Sequence, residues 1–109
     1  PKYVGYVDSD VTTLRVSMNE SEEMLHRRID EVLYYQWDPI GISKSAWSRE
    51  EYQSYLPMVF KLLLLNDTAT DIADYLNTIS TQAMGLNSNI EHDSAIAEFL
   101  IELKEVYLQ

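Results

Sequence analysis

Apolar residues recur at intervals of three and four in separate stretches of this chain, and that spacing is the strongest constraint on its fold. Leu25, Ile29, Val32 and Leu33 draw one stripe on a helix from about Glu20 to Gln36. Tyr52, Tyr55, Leu56, Val59, Phe60 and Leu63 draw a second, Ile72, Leu76, Ile79 and Ala83 a third, and Ile96, Phe99, Leu100, Leu103 and Tyr107 a fourth. A stripe of this kind has to be covered by another element. The chain has 109 residues, of which 46% are hydrophobic. That suits one domain with a real core and excludes disorder of the whole chain. The expected fold is therefore mainly α: a compact bundle of about four helices, spanning residues 19–109.

The helix boundaries are marked in the sequence. Asn19 and Glu22 stand three apart in a capping-box pattern. Ser48-Arg49-Glu50-Glu51 repeats it, and Thr68-Ala69-Thr70-Asp71 is a related pattern with Asp. Asp93 or Ser94 is the expected cap of the last helix, after a polar loop from Leu86 to Asp93. Pro57 lies inside the second helical stretch and predicts a kink or a brief break, because it removes a backbone donor. Leu62 to Leu65 is apolar nearly all round and predicts the most buried helix. Gly85 is placed to cap the third helix at its C-terminal end. Glu23, Arg27 and Glu31, four apart, read as surface ion pairs.

The front end differs. Tyr3 to Val7 and Val11 to Val16 are rich in β-branched and aromatic residues on either side of Asp8-Ser9-Asp10. Residues 1–18 are expected to form a short β-hairpin or an extended arm.

Charge and composition narrow the function. Eight Lys+Arg against 18 Asp+Glu give a net charge of −10, which argues against nucleic acid or an anionic membrane as partner. No apolar run approaches the roughly 20 residues of a membrane span, and the start lacks signal-peptide order. With no Cys, disulfides, thiolate metal sites and cysteine nucleophiles are excluded, and a cytoplasmic setting is the expectation. The three glycines are isolated, so no phosphate-binding loop is present. Glu22 and His26 could place two metal ligands on one face, but no third ligand has a matching spacing. Asp71 and Asp74 would serve as an acid/base pair only if burial raised one of them; a solvated first helical turn is the simpler account. Asn19-Glu20-Ser21 and Asn66-Asp67-Thr68 match the glycosylation sequon but also read as helix-cap sequences. No catalytic residue, metal or cofactor is expected; the chain reads as a binding protein rather than an enzyme.

Two features suggest what it binds through. Trp37-Asp38-Pro39-Ile40-Gly41 ends the first helix, and the simpler reading anchors Trp37 in the core while Asp38, Pro39 and Gly41 shape the turn. Tyr34, Tyr35, Trp47, Tyr52 and Tyr55 lie near it in sequence and could contribute an aromatic recognition patch. The charge is also uneven. After Lys61 stand Asp67, Asp71, Asp74, Glu91, Asp93, Glu98, Glu102 and Glu105 against Lys104 alone, so this part carries −7 of the −10. Glu98, Glu102 and Glu105 share one face of the last helix, either a solvated face or a surface for a basic protein.

The segment Ile29 to Gly41, ending in Trp37-Asp38-Pro39-Ile40-Gly41 and followed by Glu51-Tyr52-Gln53-Ser54-Tyr55, resembles a signature of small bacterial proteins. Some of these are similar to immunity proteins that accompany contact-dependent or polymorphic toxins. The resemblance spans roughly Asn19 to Leu86 and implies an immunity protein; with the acidic second half and no catalytic constellation, the expectation is an inhibitor that occludes the active site of a basic toxin, for instance a nuclease. The expected partner surface is then Asp71, Asp74, Glu91, Asp93, Glu98, Glu102 and Glu105 with Tyr52 and Tyr55. The other reading is a structural module of unassigned role that self-associates, as a homodimer, through its tyrosine-rich turn.

Overall fold

A computed structural model describes residues 18–41, 49–66 and 68–108. The expected hairpin or arm therefore lies outside the described residues apart from Met18, and so do Trp47, Ser48 and Asp67. Five helices are described: α1 (Glu20–Val32), α2 (Glu50–Gln53), α3 (Leu56–Leu65), α4 (Thr70–Thr78) and α5 (Ile90–Tyr107). They form a mainly α bundle. The long α5 packs most extensively on α4, then on α1 and more lightly on α3.

At the start of α1 the capping box is complete. Asn19 Oδ1 accepts from the Glu22 N–H at 2.8 Å, and the Asn19 N–H donates to Glu22 Oε1 at 3.2 Å. Leu25, Ile29 and Val32 are buried, as the stripe requires. On the outer face Glu31 pairs with Arg28 rather than with Arg27. The helix then widens into a π turn over Leu33–Trp37, closed by the Asp38 N–H donating to Leu33 O at 3.0 Å. Leu33 and Trp37 both face the core.

The second expected helix is split. α2 ends at Gln53, and α3 starts afresh at Leu56 with Pro57 in its first turn, where a missing N–H costs nothing. Pro57 thus starts a helix instead of kinking one. Arg49 stands at the N-cap of α2, and its side chain makes no cap bond. Ala69 likewise stands at the N-cap of α4 without one, in place of the expected Thr68 cap. α3 is buried on one side only: Leu56, Val59, Phe60 and Leu63 face the core, while Leu65 is 67% exposed. A ten-residue helix packed on its neighbours from one side leaves its far face in solvent, however apolar the sequence.

α4 also ends in a π turn, Ile79–Ala83, with Met84 N–H donating to Ile79 O at 3.0 Å. Gly85 comes next at φ +70°, the left-handed conformation expected of a C-terminal cap. α5 begins earlier than its sequence suggests. Asn89 is the N-cap, accepting from the His92 N–H at 3.3 Å. Asn caps as well as Asp does, so Asp93 falls inside the first turns and is free for another use. The C-terminal end of α3 is met by Lys104 of α5, whose Nζ donates to Asn66 O at 2.9 Å. Asn66 itself bonds back to Leu62 O through Nδ2 at 2.8 Å. Among the described residues no helix is long and apolar enough to cross a membrane.

Candidate functional site

Three elements meet where α1 ends and α5 begins. Trp37 is 1% exposed, and its ring lies 5.4 Å from that of Tyr52, inclined at 54°. Its indole N–H donates to Asp93 Oδ1 at 2.9 Å. His92 Nε2 lies 2.9 Å from Trp37 O. A carbonyl only accepts, so Nε2 carries the hydrogen in this contact. Two successive residues of α5 therefore grip both the side chain and the backbone of the last residue of the π turn that follows α1.

The turn after Trp37 is held by Tyr52. Its hydroxyl donates to Asp38 Oδ1 at 2.6 Å and accepts from the Ile40 N–H at 3.0 Å. Asp38 has φ +34° and Gly41 φ +83°, and Gly41 N–H closes onto Asp38 O at 3.2 Å. Pro39 keeps Asp38 out of the right-handed helical region, and Asp is among the residues that tolerate the left-handed one. Trp37, Asp38, Pro39 and Gly41 thus form the structural turn expected of them.

Two residues of the expected partner surface are placed elsewhere. Tyr52 is 0% exposed: its ring packs on Trp37, and its hydroxyl donates and accepts within the turn. Asp93 is 2% exposed and serves the Trp37 indole. Neither can touch a partner on this surface. Burial raises the Asp93 carboxyl above its usual value, against the lowering influences of the Trp37 N–H and of His92. Its Oδ2 is buried and has no hydrogen-bond partner among the described residues.

Asp71, Asp74, Glu91, Glu98, Glu102 and Glu105 are exposed. On α5, Glu91, Glu98, Glu102 and Glu105 fall within a sector of about 60° on an ideal helix and extend along about 21 Å of it. The buried residues Ile96, Ala97, Leu100 and Leu103 take the opposite side. Asp71 and Asp74 lie on α4, the main neighbour of α5. Lys104, the single basic residue of this half, is turned to the end of α3. Tyr55 is half-buried against the core, near enough to Tyr75 to act on its phenol.

The aromatic cluster gathers on the π turn after α1 rather than on Tyr52. Arg49 lies over the rings of Tyr34 and Tyr35, 5.0 and 5.4 Å from their centres, and its Nε is 3.3 Å from Asp30 Oδ1. Gln53 Nε2 donates to Asp30 Oδ2 at 3.2 Å, and Tyr35 is 62% exposed. His26 packs its ring edge-on to Phe60 at 5.2 Å. Among the described residues no group of three or more His, Asp or Glu is arranged to hold a metal ion. Beside Asp93 opens a cleft of about 270 Å³, lined by Pro39, Ser80, Leu86, Asn87, Asn89, His92 and Asp93. Sequence reasoning missed this cleft, because its walls come from three regions of the chain that no local pattern connects.

Compared with known proteins, the chain matches no family model, no curated protein and no solved structure.

Proposed function

We propose that the protein acts by binding, as an immunity protein that neutralises a basic bacterial toxin such as a nuclease in the cytoplasm. The observation that carries this reading is the stripe of Glu91, Glu98, Glu102 and Glu105 along the exposed side of α5. Carboxylates at such spacings repel one another on the helix, by a few tenths of a kcal/mol per neighbouring pair. Lys104, the one Lys or Arg of this half of the chain, donates its Nζ to the end of α3. A basic protein laid along the stripe offsets that repulsion. Asp71 and Asp74 of α4 extend the field that steers it in. Inhibition would follow from occlusion, the carboxylates taking the place of substrate phosphates against toxin Lys and Arg. The resemblance of the Trp37–Gly41 turn to immunity-like bacterial proteins points the same way.

Titration of the protein against a basic nuclease encoded beside it, at rising salt, tests the reading. Binding that weakens steeply with ionic strength is expected. Absence of binding, or an affinity indifferent to salt, would overturn it.

A second reading, self-association as a homodimer, draws on the exposed Tyr35 and Ile40 flanking the turn. Size-exclusion chromatography with light scattering separates the two readings. A stable homodimer that dissociates on Tyr35→Ala would favour the second.

A further inference from the structure

We propose that the cleft between the α1 turn and the start of α5 is a binding site for a neutral carboxamide or ureide group, with Asp93 as its anchor. The inference does not rest on the proposed toxin partner.

The starting point is an unmatched atom. Asp93 is 2% exposed and lies in the cleft wall; Oδ1 receives the Trp37 indole N–H, while Oδ2 has no partner among the described residues. A buried polar atom left unpaired costs about 1–3 kcal/mol, so a group that completes it gains that interaction without a fresh desolvation penalty at Asp93.

The surroundings select the class of ligand. An anion would meet the Asp93 carboxyl itself and the exposed Glu91 two positions away, in a lining whose one basic side chain is His92. A cation would sit at the first turns of an 18-residue helix, where the backbone dipoles present their positive end. A neutral group escapes both penalties. An amide also satisfies Oδ2 in either protonation state: its carbonyl accepts from the acid, or its N–H donates to the carboxylate. The carboxamides of Asn87 and Asn89 offer further donors and acceptors, and Pro39 and Leu86 supply apolar contact for a planar group. Leu86, Asn87 and Asn89 are exposed residues of the segment joining α4 to α5, so the wall can shift to admit a ligand at little cost.

The Trp37 indole N–H, bonded to the same carboxyl, is the reporter. Its resonance in ¹⁵N-correlated NMR spectra is followed while acetamide, acetate and acetamidinium are added separately. These three have one shape and carry charges of 0, −1 and +1. Saturable shifting by acetamide, with both ions at least tenfold weaker, is the expected result. Leu86→Trp, which fills the cleft from an exposed position, is expected to abolish the shift while leaving the remaining spectrum folded. Hydantoin and N-acetylglutamine methylamide then distinguish the source: the one that saturates at the lower concentration marks a free ureide or a peptide side chain as the ligand. No saturable shift by acetamide, an ion binding as tightly, or an unchanged response in Leu86→Trp would overturn the proposal. Because Glu98, Glu102 and Glu105 do not line the cleft, neutralising them should leave this binding intact even if the partner reading fails.

Discussion

Trp37 and Asp93, 56 positions apart in sequence, share a buried hydrogen bond of 2.9 Å that ties the end of α1 to the start of α5. Asp93→Ala strands the indole N–H without an acceptor. A loss of about 1–3 kcal/mol is expected in urea unfolding. Asp93→Asn retains an oxygen to accept the bond and should lose much less. Equal losses in the two variants would show that the bond is not what Asp93 contributes.

The same carboxyl sets a pH dependence. Burial raises it above the ordinary value of 3.8, so the folded state holds its proton more tightly than the unfolded chain. Its contribution is fully present below that ordinary value and is lost as pH rises through the higher folded value. The stability of Asp93→Asn relative to the natural protein should therefore climb as pH is raised from about 4. Thermal unfolding of both proteins across that range measures it, and parallel curves would refute it.

Tyr52→Phe keeps the ring against Trp37 and removes only the hydroxyl that bridges Asp38 and Ile40. A cost of about 1–3 kcal/mol is expected, since one of the two bonds goes to a carboxylate. Amide exchange should quicken at Ile40 and Gly41 and stay unchanged in the middle of α5.

On α3 the two sides should respond very differently. Leu63→Ala opens a cavity at a fully buried position and should cost about 2–5 kcal/mol. Leu65→Ser, at a side chain 67% exposed, should change stability by no more than about 0.5 kcal/mol. Chemical denaturation of both variants checks the orientation of the helix.

Replacing Glu98, Glu102 and Glu105 together by Gln removes two neighbouring repulsions and should stabilise the fold by about 0.2–0.5 kcal/mol per pair. The same variant should associate more slowly with a basic partner, an effect that fades at high salt. Stopped-flow association rates alongside unfolding curves reveal whether stability and binding move in opposite directions.

The features legible in the sequence were those that depend on near neighbours. The Asn19–Glu22 box, the interruption near Pro57 and the left-handed Gly85 each arise from residues a few positions apart. The buried stripes were legible for the same reason, being periodic, except at Ala83, which ends the π turn after α4 and is exposed. Asp93 was not. In its local context it is a first-turn carboxylate beside Glu91, the kind that normally faces water, and only Trp37, on another helix, makes it an internal group. Tyr52 was misread similarly: a tyrosine in a tyrosine-rich stretch suggests a surface, but its hydroxyl is consumed by Asp38 and Ile40. The exposed carboxylates of α5 were placed correctly by spacing, because the side of a helix opposite an apolar stripe is fixed by the stripe itself.

The π turn over Leu33–Trp37 bears on how much the length of this chain can vary. Its bond reaches from Asp38 back to Leu33, one residue further than a regular helix allows. Loss of one residue between them would bring the same Asp38 N–H to the same Leu33 O in a regular turn, because either bond closes about one full turn of helix. Removal of Tyr35, whose side chain is 62% exposed, would therefore leave Trp37 and the residues after it close to their present orientation. The wide turn absorbs a residue locally, and a chain that shares this fold can be one residue shorter here without turning the indole from Asp93.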